Sequence, residues 1–343
     1  MFELLQKNQE LWDIFTRKEE YGSTILDQYN RFYYNGSLSR NILEPRVSKY
    51  LIEHGYNVKY PEDKPFAVCL THDIDAVYTS VFEKTVSAVK HLQQGSPSGF
   101  MHSLSQMRSK KLPLWNFNDI LTLEEVYNAK SSFYFMAESV DEQDHAYRIE
   151  DCRSVLGDII DHGCEVGLHG GYTSYIRMGE MKSKKEQLEK ILNKKVIGYR
   201  NHFLRFKVPE TWEYLHEAGF LYDTTFGYAD HIGFRNGMCH PFKPFNLKTG
   251  KYIEILEIPL IIMDCTFDEY MKVDIRRAWD LSKRLIDTVM LYNGVLTLLW
   301  HNAYLLGNKR KFYEKILKYC AEKNAWMTSG EEISNWWKYN QQI

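Results

Sequence analysis

From residue 66 onward, short apolar runs alternate with longer stretches whose apolar residues recur at helical spacing. Phe66-Ala67-Val68-Cys69-Leu70-Thr71 is compact, partly β-branched and preceded by Pro65, the pattern of a buried strand. Similar runs fall at 131–136, 165–169, 196–200, 219–222, 253–261 and 295–300. Between them, Arg148 to His162, Lys182 to Leu192, Glu210 to Ala218 and Ile275 to Leu291 read as amphipathic helices. Such alternation predicts a parallel sheet with crossover helices. Residues 1 to about 60 read as helical instead, with a stripe at Leu4, Leu5, Leu11, Trp12 and Phe15 and a second helix from Glu44 to Ile52 that stops at Gly55. We therefore expect an N-terminal helical extension over 1–62 and an α/β domain over 63–343. Residues 78–125 form an insertion or lid around Gly95-Ser96-Pro97-Ser98-Gly99.

Polar residues gather where the apolar runs stop. The first run leads into Thr71-His72-Asp73-Ile74-Asp75. In extended chain Asp73 and Asp75 share one face and His72 takes the other. Crowded carboxylates repel each other unless a cation or a proton sits between them, although Asp also caps helices. The later runs end in His169, in Arg200-Asn201-His202, near Asp223, at Asp264 and in His301-Asn302. In a βα barrel this end of the strands carries the chemistry, because each strand delivers one side chain to a common mouth.

Bulk properties narrow the classes. The 343 residues, 44% apolar, can bury one barrel-sized core or two smaller ones. A net charge of −2 gives no electrostatic case for nucleic acid or an anionic membrane. The six cysteines are scattered through apolar segments with no CxxC pair, as expected of reduced thiols in a cytoplasmic protein. The N-terminus carries charge within its first residues and no h-region, so no secretory leader is expected, and no apolar stretch is long enough for a transmembrane segment. GxSxG, P-loop and GxGxxG patterns are lacking, which removes support for serine hydrolase, NTPase and dinucleotide chemistry.

The residue types suit one job. An aspartate and two histidines form an open coordination set for a divalent cation. A further carboxylate can take a proton from water and a separate histidine can protonate a leaving group, the parts needed to hydrolyse an amide or ester.

With those residues in view, positions 66 to about 330 resemble the polysaccharide deacetylases of the NodB-homology superfamily (carbohydrate esterase family 4). Thr71-His72-Asp73-Ile74-Asp75 stands where that family has Thr-Phe-Asp-Asp-Gly, and Ser131-Ser132-Phe133-Tyr134-Phe135 looks like its second strand. Leu168-His169-Gly170-Gly171-Tyr172-Thr173-Ser174 stands at its His-Ser/Thr-x-x-His metal motif. Tyr199-Arg200-Asn201-His202-Phe203 stands at its Arg-x-Pro motif, and Leu298-Leu299-Trp300-His301-Asn302 at its terminal Leu-His motif. The resemblance implies a distorted (β/α)7 barrel, a bound divalent metal with zinc expected, and removal of N- or O-acetyl groups from a sugar.

It also implies roles. Asp73 is taken as the base, His301 as the general acid, Arg200 as the residue that orients the base, and Asp264 as the one that tunes His301. Asp75 and His169 are taken as metal ligands. Thr173 falls where the family has its second histidine; we take His202, in place of the family's proline, as the third ligand, the alternative being that it hydrogen-bonds a carboxylate. Tyr172, Arg235 and Trp300 are candidate substrate contacts. The variant Thr-His-Asp-x-Asp set looks like the WbmS-like subgroup, which implies an acetylated precursor of bacterial surface polysaccharide as the substrate. Two rivals remain at this point: a metal-independent hydrolase of C–N bonds on the same fold, and an inactive glycan-binding barrel.

Overall fold

The run that opens at Phe66 is strand β1 (Ala67–Ile74), buried throughout its length, in a computed structural model that describes residues 2–77 and 114–340. The main sheet adds β2 (Ser132–Met136), β3 (Glu165–Gly170), β4 (Gly198–Asn201), β5 (Tyr222–Asp223), β6 (Leu256–Glu257), β7 (Leu260–Met263), β8 (Val295–Leu299) and β9 (Trp326–Thr328). Their order is β6-β5-β4-β3-β2-β1-β8-β7, and every pairing in this path is parallel. The two ends of the path, β6 and β7, are separated only by Ile258 and Pro259. One segment thus pairs with β5 through its first half and with β8 through its second, which curls the sheet into a ring of seven strand positions. Pro259 has no N–H to donate, so the ladder breaks at the point where the segment changes partner.

Further distortion comes from β9. It pairs with β1 from Ala67 to Cys69, whereas β2 pairs with β1 from Thr71 to Ile74. The register between β7 and β8 shifts at Thr297/Leu298.

Helices cover the outside, among them α1 (Phe2–Gln6), α2 (Gln9–Thr16), α3 (Arg46–Glu53), α4 (Phe117–Glu125), α5 (Arg153–Asp161), α6 (Met178–Leu192), α7 (Glu210–Glu217), α8 (Ile275–Leu291), α9 (Gly307–Glu322) and α10 (Gly330–Asn340). The sequence pattern of α8 explains its bounds. Asp274 accepts the N–H groups of Arg276 and Arg277 at 2.9 and 2.8 Å, a side-chain cap on its first turn. Ala278, Leu281, Leu285, Ile286 and Val289 then recur on one buried face. Truncating Leu285 to alanine there would cost about 2–5 kcal/mol. Among the described residues no helix is long and apolar enough to cross a membrane.

Two parts of the sequence reading need amendment. The expected strand at 219–222 lies instead at Tyr222–Asp223, because Gly219 adopts φ +82° and ends the preceding helix with a turn. Residues 2–60 are α-helical only in α1, α2 and α3; from Arg17 to Pro45 the chain is irregular, with short 3-10 turns. The expected lid lies outside the described residues as far as Leu112 and Pro113, Lys110 and Lys111 included, while its last part is helix α4.

The extension packs into the barrel's own core. Leu11, Trp12, Phe15, Val47 and Leu51 share one apolar cluster with β1 and β8 residues. Beside them Glu20 is buried between two guanidiniums, 2.7 Å from Arg17 and 2.5 Å from Arg235. Arg235, expected at the mouth of the site, is thus spent inside the fold: it pairs with Glu20 and donates to the Gly227 carbonyl at 2.7 Å. A buried charge needs such a partner, and this one comes from the extension.

Candidate metal centre

Strand alternation sends Asp73 and His72 to opposite faces of β1. His72 points outward and is wholly buried: its Nδ1–H donates to the Trp300 carbonyl at 2.8 Å, and its Nε2 lies 2.8 Å from Glu124 Oε1. Asp73 points inward, and Asp75 follows one residue beyond the strand. Three imidazoles surround Asp75. His169 Nε2, from the end of β3, lies 3.1 Å from Asp75 Oδ1. His202 Nε2, just past β4, is 3.9 Å from the same oxygen, and His301 Nε2, just past β8, is 3.6 Å from Oδ2.

Each ring is held by its other nitrogen. His169 Nδ1 donates to the Arg200 carbonyl at 3.0 Å, His202 Nδ1 to Asp144 at 3.0 Å and His301 Nδ1 to Asp264 at 2.7 Å. With the N–H on Nδ1, His169 and His202 can each offer the Nε2 lone pair to an ion beside Asp75, whereas His301 Nε2 faces the cleft. Donor atoms of Asp75, His169 and His202 all lie within 4.8 Å of one another. Two neutral nitrogens and one carboxylate oxygen are a fitting donor set for a borderline divalent ion that keeps a position open.

Without an ion, the carboxylates and imidazoles favour each other's charged forms. Burial disfavours a charged Asp75, but His202, His301 and His169 together hold its carboxyl well below the usual range. Burial likewise pulls the His169 imidazole down, and Asp73 and Asp75 more than offset this, leaving it above its ordinary value. Asp73 Oδ1 is buried with no hydrogen-bond partner and faces Arg200 Nη1, also unpartnered, at 3.6 Å. Arg200 is fixed by donating to Thr224 at 2.8 Å and Thr71 at 3.1 Å.

Two glycines after His169 permit this approach. A Cβ on Gly170 would fall 1.9 Å from the Tyr199 hydroxyl, and one on Gly171 would fall 2.6 Å from Glu138. Two other clusters have similar spacing among the described residues. In Asp264–Cys265–His301 the carboxylate already holds the ring. In Glu138–Glu142–Glu180 the Lys184 ammonium sits among the carboxylates, 2.9 Å from Glu142 and 3.7 Å from Glu180.

The structure thus brings together Asp73, Asp75, His169, Arg200, His202, Asp264 and His301. A cleft of about 220 Å³ opens onto Asp73, Asp75, His202 and His301 and is lined further by Arg31, Phe203, Tyr270 and Tyr304. Trp300 is not among them: it is buried against Phe312 and Tyr313, with ring centroids 5.6 and 5.2 Å apart, and stacks on protein rather than substrate. Tyr172 lies under the Arg205 guanidinium, 3.8 Å from its ring centroid, and beside Phe203. Sequence reasoning missed Asp144 and Arg31. Asp144 sits in an irregular polar stretch after β2, and Arg31 lies far from any motif, so neither carried a local signal.

No family model and no curated protein matches the sequence. Structural comparison finds a protein assigned as a polysaccharide deacetylase from Mycobacterium smegmatis, at 18% identity and TM-score 0.55, over 81% of this chain and 92% of that one. A polysaccharide deacetylase from Bacillus cereus aligns at 12% identity and TM-score 0.40, over 77% and 91%. A CE4 family pseudoenzyme from Bacillus anthracis aligns at 12% identity and TM-score 0.40, over 80% and 66%. The first of these, together with the seven-position parallel ring, shows that the chain has the polysaccharide-deacetylase fold, the NodB-type (β/α) barrel.

Proposed function

We propose that this protein is a metal-dependent hydrolase that removes an acetyl group from an N- or O-acetylated sugar. The observation that carries the reading is the convergence of three Nδ1-tethered imidazoles on Asp75, with a second carboxylate, Asp73, beside them. Asp75, His169 and His202 would hold the divalent ion, with zinc expected. When bound, such an ion supplies Lewis acidity and lowers the pKa of water.

The protein's own residues supply the rest. Asp73 takes the proton from the attacking water, and Arg200 orients its carboxylate from 3.6 Å. His301 presents Nε2 to the cleft and gives its proton to the departing amine or alcohol, so that water and the acetylated sugar become acetate and the free sugar group. Asp264 keeps the Nδ1 proton in place and orients the ring. The Thr-His-Asp-x-Asp variant and the six free cysteines, five of them buried, support a precursor of bacterial surface polysaccharide as substrate and the cytoplasm as the compartment.

Acetate release from a panel of free, nucleotide-linked and lipid-linked acetylated sugars tests the reading. We expect turnover on at least one, loss after chelation and recovery on adding zinc. Turnover that survives exhaustive chelation would overturn the metal role, and no acetate from any of them would overturn the activity.

A further inference from the structure

Two features that depart from the deacetylase pattern, the N-terminal extension and the histidine at 202, are joined through Phe203. His202 opens a short turn whose next two residues, Phe203 and Leu204, have φ of +59° and +53°. Neither is glycine, and bulky side chains disfavour that region, so the turn needs outside support. The extension provides it. Arg31 Nη1 donates to the Phe203 carbonyl at 2.8 Å, and the Tyr29 ring stacks on the Phe203 ring at 5.0 Å and 21°. Phe203 in turn packs on the His202 ring, with centroids 4.1 Å apart.

Arg31 is itself preset. Asp27 accepts the backbone N–H groups of Tyr29 and Arg31 at 2.9 and 3.0 Å, and its other oxygen accepts from Arg31 Nε at 2.8 Å. Arg31 Nη2 donates to the Tyr270 hydroxyl at 3.2 Å, and its guanidinium lies 4.7 Å from the Tyr29 ring centroid. The arginine is buried yet lines the cleft. Arg31 and Tyr29 of this loop thus converge on the carbonyl and the ring of Phe203, next to His202.

We infer that Arg31 and Tyr29 are positioning residues for His202: the extension is part of the site, clamping a strained turn so that His202 Nε2 faces Asp75. Asp144 fixes the ring's rotation, and the 27–31 loop holds the backbone of the residue that follows, Phe203. The inference rests on the reading of His202 as a metal ligand.

The test is Zn²⁺ affinity of the full chain, measured by competition with a chromophoric chelator, together with the visible spectrum of the Co²⁺ form. Arg31→Ala and Tyr29→Ala should each weaken binding by about 10–100-fold, the range seen when a residue orienting a ligand is lost. In a His202→Ala background the Arg31→Ala change should then add less than about twofold, because its effect runs through His202. Tyr29→Ala serves where Arg31→Ala melts below the assay temperature, since Tyr29 is only half buried. Wild-type affinity in both single variants, or an undiminished loss in the His202→Ala background, overturns the clamp alone. Failure of the wild type to bind metal, or His202→Ala binding as tightly as wild type, overturns the ligand reading and the clamp with it.

Discussion

Asp264 holds His301 twice: one carboxylate oxygen lies 2.7 Å from Nδ1 and the other accepts the backbone N–H of the same residue at 2.6 Å. Ring and main chain are thereby fixed to one anion. Burial alone would lower the imidazole's pKa, yet Asp264 and then Asp75 raise it from 6.5 to about 10. At neutral pH the ring carries the proton that a general acid must give. Asp264→Asn removes the largest raising influence, so the alkaline limb of the kcat/KM profile should move to lower pH by more than one unit. An unmoved limb contradicts the assignment of His301 as the acid.

The same raised pKa makes stability depend on pH. His301 has a higher pKa folded than unfolded, so its contribution is complete below about pH 6.5 and is lost as pH rises through about 10. In chelator-treated protein the melting temperature should fall across this window. The fall should be smaller in His301→Gln. Parallel melting profiles for the two proteins would show that the ring makes no such contribution.

Metal binding should release protons. Asp73 and Asp75 hold the His169 imidazole above its ordinary pKa, so part of the population is protonated near neutrality and must lose that proton to coordinate. Calorimetry in buffers of different ionisation enthalpy should give binding heats that change with the buffer, in the sense of protons passing from protein to solution. Heats independent of the buffer count against His169 as a ligand.

The two faces of β1 should separate in mutagenesis. Asp73→Asn should lower turnover by about 10²–10⁴-fold with little change in melting temperature. On the outer face Glu124 accepts from Ser131 and contacts His72 and Tyr313. Glu124→Ala strands those buried groups and should cost about 3–5 kcal/mol by urea denaturation, while leaving zinc affinity in the folded protein unchanged. A loss below about 1 kcal/mol would show that the network is not structural in this sense.

Much of this was legible in the chain because strand ends announce themselves. An apolar run that stops at Asp73, His169, Arg200 or His301 reports both the strand and the side chain it delivers, so the ring and most of the centre follow from local pattern. Tertiary partners left no such trace. Asp144 and Arg31 matter only through contacts with His202 and Phe203, 58 and 172 residues away in sequence. Trp300 and Arg235 show the converse error. Both are polar-tipped, and Trp300 adjoins His301, yet Trp300 packs on Phe312 and Tyr313 and a buried Glu20 claims Arg235. Sequence spacing cannot say which of two neighbouring residues faces the mouth when the strand's last residue is uncertain.

The central claim is tested most directly by crystals grown with zinc and measured on both sides of its absorption edge. One anomalous peak is expected, with Asp75 oxygen, His169 Nε2 and His202 Nε2 about 2.0–2.2 Å away. A peak bound by other residues, or a zinc-saturated crystal with no peak between those three side chains, contradicts the account.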